Sequence, residues 1–169
     1  MGAARLFYLL LKKIINMKIS ELLDPQAIVA DLQARDKDRA LAELTDALVA
    51  SEPSLVRDEV IAVLQEREKL GSTGIGDGVA IPHGKLAGIP ELMLAFGRSR
   101  SGVDFESMDG QPAHLFFLLV APEESVGVHL KTLARISKLL KDAGVRQKLL
   151  DAAGQAAIYQ VILDEEAQS

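Results

Sequence analysis

The sequence predicts a single α/β domain, built on a mixed β-sheet with helices on both faces. Its 169 residues are about the length of one domain. Segments whose apolar residues recur every three or four positions alternate with short, continuous apolar runs, which are typical of helices and buried strands respectively. Hydrophobic residues make up 49% of the chain and charged residues 25%, which is ordinary for a globular protein with its own core.

The helices are predicted in order from periodicity and from their boundary residues. A short helical turn over Ser20–Leu23 is expected to end at Asp24-Pro25, and Asp36 is expected to cap the next helix. The longer amphipathic helices are then expected over Lys37–Val49, Leu55–Glu68, Gly127–Lys141, Gly144–Ala152 and Gln155–Leu163.

Three apolar runs predict strands: Ala27–Leu32, Leu92–Gly97 and His114–Val120. A turn is expected over Met108–Gln111. The densest glycine cluster of the chain, from Gly71 to Gly84, lies between the helix predicted over Leu55–Glu68 and the strand predicted over Leu92–Gly97. Glycines of this kind leave backbone N–H groups open to an anion.

Composition excludes several classes of function. The chain has no cysteine, so a disulfide scaffold, a cysteine-ligated metal and a cysteine nucleophile are excluded. The net charge of −5 and the low aromatic content argue against nucleic-acid binding. The three histidines have no metal-ligand spacing, so no metal and no cofactor are expected.

The first sixteen residues are an extension of uncertain status, because Met17 begins a self-sufficient pattern. The apolar run Leu6–Leu11 is far shorter than the ~20 residues of a spanning helix, so no membrane insertion is expected. Lys12 and Lys13 follow this run, whereas the basic residues of a signal peptide precede it. The sequence therefore predicts a cytoplasmic protein, with its domain over residues 17–165.

His83 is the best candidate for chemistry. Pro82 restricts the backbone before it, and Gly84 is expected to allow a sharp departure after it. The alternative is that His83 is a surface histidine with no functional role. The glycine cluster matches neither a Walker loop nor a dinucleotide fingerprint, since Leu86 and Val79 stand at required positions.

Each of the other two histidines has either a functional or a structural role. His129 begins the amphipathic helix near Gly127, where it is either functional or a packing residue. His114 begins an apolar strand beside Pro112, and a structural role is favoured for it.

The segment from Arg67 to Lys85 (REKLGSTGIGDGVAIPHGK) closely resembles the fructose/mannitol-type enzyme IIA proteins of the bacterial phosphoenolpyruvate-dependent phosphotransferase system. The resemblance is closest to the nitrogen-regulatory branch. It extends through Asp109–Leu119 and Val128–Leu133, and covers about Met17 to Asp164. It implies an enzyme IIA type-2 domain over residues 17–165.

The resemblance implies that His83 accepts a phosphoryl group from an HPr-like phosphocarrier. It implies that His129 is a second active-site histidine and that Arg67 lies near the phosphoryl group. The hydroxyls and backbone N–H groups of Ser72, Thr73 and Gly74 are further candidate phosphate ligands.

The function that follows is that of a phosphohistidine carrier in nitrogen or metabolic regulation, acting on downstream regulatory proteins. One alternative is a sugar-transport enzyme IIA that donates phosphate to a IIB partner. Another is a regulatory binding module that is never phosphorylated, although His83, His129 and Arg67 are all present.

Overall fold

The helices follow the amphipathic segments of the sequence. The computed structural model describes residues 2–15 and 17–168. Within them it contains seven helices: α1 (Gly2–Ile15), α2 (Ile19–Leu22), α3 (Lys37–Ser51), α4 (Arg57–Lys69), α5 (Val126–Lys141), α6 (Ala143–Asp151) and α7 (Gln155–Ala167). As predicted, Asp36 caps α3 by accepting a hydrogen bond from the backbone N–H of Arg39 at 2.9 Å.

Six strands form one mixed sheet in the described part of the chain. They are β1 (Leu23–Val29), β2 (Gly74–Gly76), β3 (Val79–Ala80), β4 (His83–Leu86), β5 (Met93–Val103) and β6 (Ala113–Pro122). Their order is β1-β5-β6-β3-β2, and β4 also pairs with β6. β5 and β6 are antiparallel, whereas β1 is parallel to β5 and both β3 and β4 are parallel to β6.

Two groups of helices cover this sheet. α3 and α4 contact each other and pack on β1, β5 and β4, while α2, α6 and α7 pack on β1 and β6 and α5 packs on α6. β6 lies in the middle, and its residues from Leu115 to Ala121 are at most 1% exposed. The predicted class, a single α/β domain with a mixed sheet flanked by helices, is confirmed.

Several predicted boundaries were wrong. β1 begins at Leu23 and contains Asp24-Pro25, where the end of a short helical turn was expected. A strand tolerates this proline at its edge because β1 pairs only with β5. The glycine cluster lies outside the three predicted strands, but it contains β2, β3 and the start of β4, which are too short to leave a period in the sequence.

β5 is also longer than predicted, and it carries a buried arginine. Arg98 is 0% exposed. Its Nε donates to the carbonyl of Ala30 at 3.0 Å, and its Nη1 donates to the carbonyls of Leu149 and Ala152 at 2.9 and 2.6 Å. The guanidinium therefore attaches the end of α6 to the sheet, because it satisfies carbonyls that a helix end leaves unpaired.

The extension forms α1, which contacts α5. Its apolar side chains from Leu6 to Leu11 are all exposed to solvent.

Candidate functional site

β4 places His83 beside β6 and α4. His83 pairs in register with Leu119 of β6, and the N–H of Leu119 donates to the carbonyl of Pro82 at 3.0 Å. A Cβ at Gly84 would lie 3.0 Å from Val63 Cγ2 and 3.3 Å from the Val63 carbonyl carbon on α4. Glycine is thus required here for close packing of β4 on α4, and the predicted sharp departure after His83 was wrong, since the chain continues as a strand.

The parallel pairing of β4 with β6 also explains how His129 reaches His83. β6 ends at Pro122, and α5 begins after three intervening residues, at the same end of the sheet toward which β4 runs. His129 lies in the first turn of α5. The two imidazole rings are 5.5 Å apart between centroids and nearly perpendicular, at 82°.

The environment of His83 sets its tautomer. Its Nδ1 is 2.7 Å from the carbonyl oxygen of Ile81. A carbonyl only accepts, so Nδ1 carries the proton and Nε2 of the neutral ring keeps its lone pair. Burial lowers the pKa of His83 below its ordinary value, and the positive charge of Arg67 lowers it further, against the opposing effects of the Ile81 carbonyl and Glu68.

His129 is more deeply buried than His83, at 7% exposure. Burial lowers the pKa of His129 to about 4, and the positive charges of His83 and Lys85 contribute to the same shift. Its Nε2 is buried and has no hydrogen-bond partner among the residues that the structure describes. A buried polar nitrogen without a partner costs about 1–3 kcal/mol, so a hydrogen bond to this atom would lower the free energy of the folded protein.

Arg67 lies in the last turn of α4, near His83. Its Nη1 donates to the carbonyl of Gly71 at 3.0 Å. Gly71 adopts φ +135°, a conformation that favours glycine, as the chain leaves the helix. The guanidinium is therefore held over the start of the glycine-rich loop, close enough to His83 to affect its pKa.

The three loop residues predicted to bind phosphate have other hydrogen bonds. Ser72 Oγ donates to the carbonyl of Phe105 at 2.9 Å, and the N–H of Gly74 donates to Ser72 Oγ at 3.0 Å. The N–H and Oγ1 of Thr73 both donate to the carboxylate of Glu68. The side-chain hydroxyls and these two N–H groups thus shape the loop.

Glu68 is a residue that the sequence reasoning missed. It is 9% exposed and forms an ion pair at 3.0 Å with Lys37 in addition to its bonds to Thr73. Lys37 also pairs with Glu106 at 3.0 Å. A glutamate beside a candidate arginine is common in any helix, so only the fold shows that this one anchors the loop.

His114 lies outside the site. It stands at the start of β6, with Nδ1 2.8 Å from the carbonyl of Ser99 on β5, whereas His83 is aligned with Leu119 near the other end of β6.

Among the described residues, no group of three or more histidine, aspartate or glutamate side chains is arranged to hold a metal ion. Nor does any helix of residues 2–15 and 17–168 combine the length and apolar character needed to cross a bilayer.

A protein-family model matches most of the chain. The family model described as "Phosphoenolpyruvate-dependent sugar phosphotransferase system, EIIA 2" matches residues 21–165. The chain belongs to this EIIA 2 family. It is therefore a phosphotransferase-system component with the IIA fold.

Relatives of this EIIA 2 protein fall into two groups by name. A nitrogen regulatory protein of Bradyrhizobium diazoefficiens is 46% identical over 146 residues, which are 86% of this chain and 95% of that protein. A fructose-specific EIIABC component of Bacillus subtilis is 40% identical over 146 residues, 86% of this chain but 23% of that protein. The crystal structure of the nitrogen regulatory protein IIA-Ntr of Neisseria meningitidis superposes with a TM-score of 0.80 at 36% identity, covering 85% of this chain and 98% of that one.

Proposed function

We propose that this protein is a phosphohistidine carrier in which Nε2 of His83 accepts and passes on a phosphoryl group. The observation that carries the proposal is the contact between His83 Nδ1 and the carbonyl of Ile81, at 2.7 Å. It holds the proton on Nδ1 and leaves Nε2 as the nucleophile, in a ring whose lowered pKa keeps it neutral near pH 7.

The transfer step needs no separate base. The lone pair of His83 Nε2 forms a new N–P bond while the N–P bond of the donor phosphohistidine breaks, and the donor nitrogen leaves with that electron pair. The proton on Nδ1 stays where it is. The ring then carries a positive charge, which the Ile81 carbonyl stabilises through the same hydrogen bond.

Arg67 and His129 are proposed to bind the phosphoryl oxygens. In-line phosphoryl transfer depends mainly on positioning and on stabilisation of spread negative charge. Arg67 supplies a permanent positive charge with a planar set of donors. His129 stays neutral, with its pKa near 4, and its buried Nε2 gains a partner when it donates to a phosphoryl oxygen.

Ser72, Thr73 and Gly74 remain candidate phosphate ligands in this proposal, but chiefly through the loop they build. Their observed bonds to Phe105, Glu68 and one another support a scaffold that holds Gly71 and therefore Arg67. Direct contact with phosphate requires that one of these bonds be exchanged.

The proposed donor is an HPr-like phosphocarrier in the cytoplasm, and the proposed domain spans residues 17–165. Nitrogen or metabolic regulation through downstream proteins is favoured by the 46% identity to a nitrogen regulatory protein over nearly its full length. Sugar transport through a IIB partner is the second candidate, favoured by the 40% identity to a fructose-specific component.

Phosphorylation by phosphoenolpyruvate, the first enzyme of the system and HPr, followed by peptide mapping, tests the carrier function. We expect an acid-labile, base-stable label on His83, and ³¹P NMR is expected to place it on Nε2. His83→Ala is expected to abolish labelling, and His114→Ala is the matched control that keeps it. Absence of labelling in the folded protein would support an unphosphorylated binding module.

A second experiment separates the two carrier functions. The isolated phosphoprotein is incubated with fructose- and mannitol-type IIB domains, and loss of label is followed over time. Regulatory function predicts no transfer to either IIB domain, whereas rapid transfer to one of them identifies a sugar-transport IIA.

A further inference from the structure

α1 exposes a continuous run of large apolar side chains. Leu6, Phe7, Tyr8, Leu9, Leu10 and Leu11 are each between 42% and 69% exposed. Single exposed apolar residues are normal in proteins, but six consecutive ones on one helix are typical of a binding surface. The patch lies outside residues 21–165, which match the family model, so the family's chemistry does not account for it.

The helix is amphipathic, with two of its three cations on one side. Arg5 and Lys12 are seven positions apart, so they lie on nearly the same side of an α-helix. At 100° per residue, Phe7, Leu10 and Leu11 lie on the opposite side. A helix of this kind, with a cationic side and a broad apolar side, is suited to lie flat in a lipid interface.

The length and charge of α1 indicate which kind of surface it can bind. Its 14 residues make α1 roughly 21 Å long, which is too short to cross a hydrocarbon core of about 30 Å. Residues 2–15 contain no acidic residue, and no carboxylate of the described chain pairs with Arg5 or Lys12. The unpaired cations favour a negatively charged partner, and the exposed apolar side favours a partner that also has an apolar interior.

We propose that α1 is an interfacial anchor that binds this protein to the surface of an anionic lipid membrane. The apolar side, with Phe7 and Leu10, enters the boundary between headgroups and acyl chains, and Arg5 and Lys12 contact lipid phosphates. A second copy of the chain fits less well, because two α1 helices packed through their apolar sides would leave Arg5 and Lys12 without a negatively charged partner.

The absence of tryptophan from the chain allows a clean probe of this binding. Phe7→Trp in the full chain is titrated with vesicles of phosphatidylglycerol and phosphatidylcholine, and with vesicles of phosphatidylcholine alone. We expect a blue shift of the emission and co-sedimentation with the anionic vesicles, with affinity at least about tenfold weaker for neutral ones. Adding Leu10→Asp and Leu11→Asp to this variant is expected to abolish both signals.

The charge requirement has a matched control. Arg5→Gln with Lys12→Gln is expected to weaken binding to anionic vesicles by at least about tenfold, at about fivefold per cation. Lys138→Gln with Lys141→Gln removes two exposed cations from α5 and is expected to leave binding unchanged. Thermal unfolding of each variant shows that the domain is intact.

Three results would overturn the proposal. One is the lack of a blue shift with anionic vesicles, and another is equal affinity for neutral ones. The third is a concentration-dependent blue shift without vesicles, accompanied by a dimer in sedimentation equilibrium, which would assign the apolar side of α1 to a second copy of the chain.

Discussion

The imidazole rings of His83 and His129 lie 5.5 Å apart and nearly perpendicular, with the buried Nε2 of His129 lacking a partner among the described residues. Nε2 of His129 therefore makes no hydrogen bond to the His83 ring. In the proposed transfer step, His83 accepts the phosphoryl group and His129 donates a hydrogen bond to it.

His129→Ala is predicted to slow phosphoryl transfer to His83 by at least about tenfold, or ~1.4 kcal/mol in barrier. The physical reason is the loss of the Nε2 donor, whose charge-assisted hydrogen bond is worth about 1.5–3 kcal/mol. Single-turnover transfer from phosphorylated HPr measures the effect, with His114→Ala as control. A wild-type rate in the folded His129→Ala variant would assign His129 to packing.

Arg67→Ala is also predicted to slow transfer at least about tenfold, and Arg67→Lys to restore only part of the rate. Lysine keeps the charge but loses the planar set of donors, one of which reaches the Gly71 carbonyl. The same single-turnover assay applies. Full rescue by lysine would show that charge alone matters, and not the planar geometry.

The two buried histidines predict a pH dependence of stability. The pKa of His129 is about 4 in the folded chain, against an ordinary value near 6.5, and that of His83 is also lowered. Between these values the unfolded chain binds more protons, so the free energy of unfolding falls as pH drops from about 6.5 to about 4. Urea unfolding at pH 7.0 and 4.5 measures this loss.

His129→Gln is the control for that measurement. It removes the group with the larger shift, so the difference in unfolding free energy between the two pH values is expected to shrink. If the difference is the same in both proteins, the pH dependence originates from other groups.

Gly84→Ala is predicted to destabilise the fold by about 1–3 kcal/mol, because the added Cβ meets Val63 Cγ2 at 3.0 Å. It is also expected to slow transfer, since β4 carries His83 and α4 carries Arg67. Val63→Ala in the same chain removes the closest contact and is expected to recover part of both losses. Urea unfolding and the transfer assay together check this, and unchanged stability in Gly84→Ala would contradict close packing here.

Removal of residues 1–16 is predicted to lower the unfolding temperature by less than about 4 °C, which corresponds to about 1 kcal/mol. The apolar side chains of α1 from Leu6 to Leu11 are exposed, so little buried surface is lost. The shortened chain is expected to accept phosphate like the full one. A large drop in the unfolding temperature would show that α1 stabilises the core through α5.

The long elements of the fold were predictable because their periodicity is local. The capped helix after Asp36 and the apolar strand before Pro122 are examples. The strands of the glycine-rich segment, with as few as two residues, leave no period to detect. The strand before Arg98 was predicted too short, because a charged residue indicates a strand end unless distant carbonyls accept its hydrogen bonds.

The candidate site was predictable only in part. The setting of His83 is local, and a resemblance to a family supplied Arg67 and His129. The approach of His129 to His83 depends on the parallel pairing of β4 with β6, which no spacing in the sequence indicates. The bonds of Thr73 to Glu68, which occupy donors expected to face phosphate, also depend on the folded loop.

The contact between Gly84 and Val63 has a consequence for divergence among relatives. It brings the strand that carries His83 directly against the helix that carries Arg67. A lineage that replaces this glycine by a larger residue must move Val63 or the neighbouring part of α4 by a few tenths of an ångström. Such a shift changes the distance between His83 and Arg67 unless a second substitution near Val63 compensates for it.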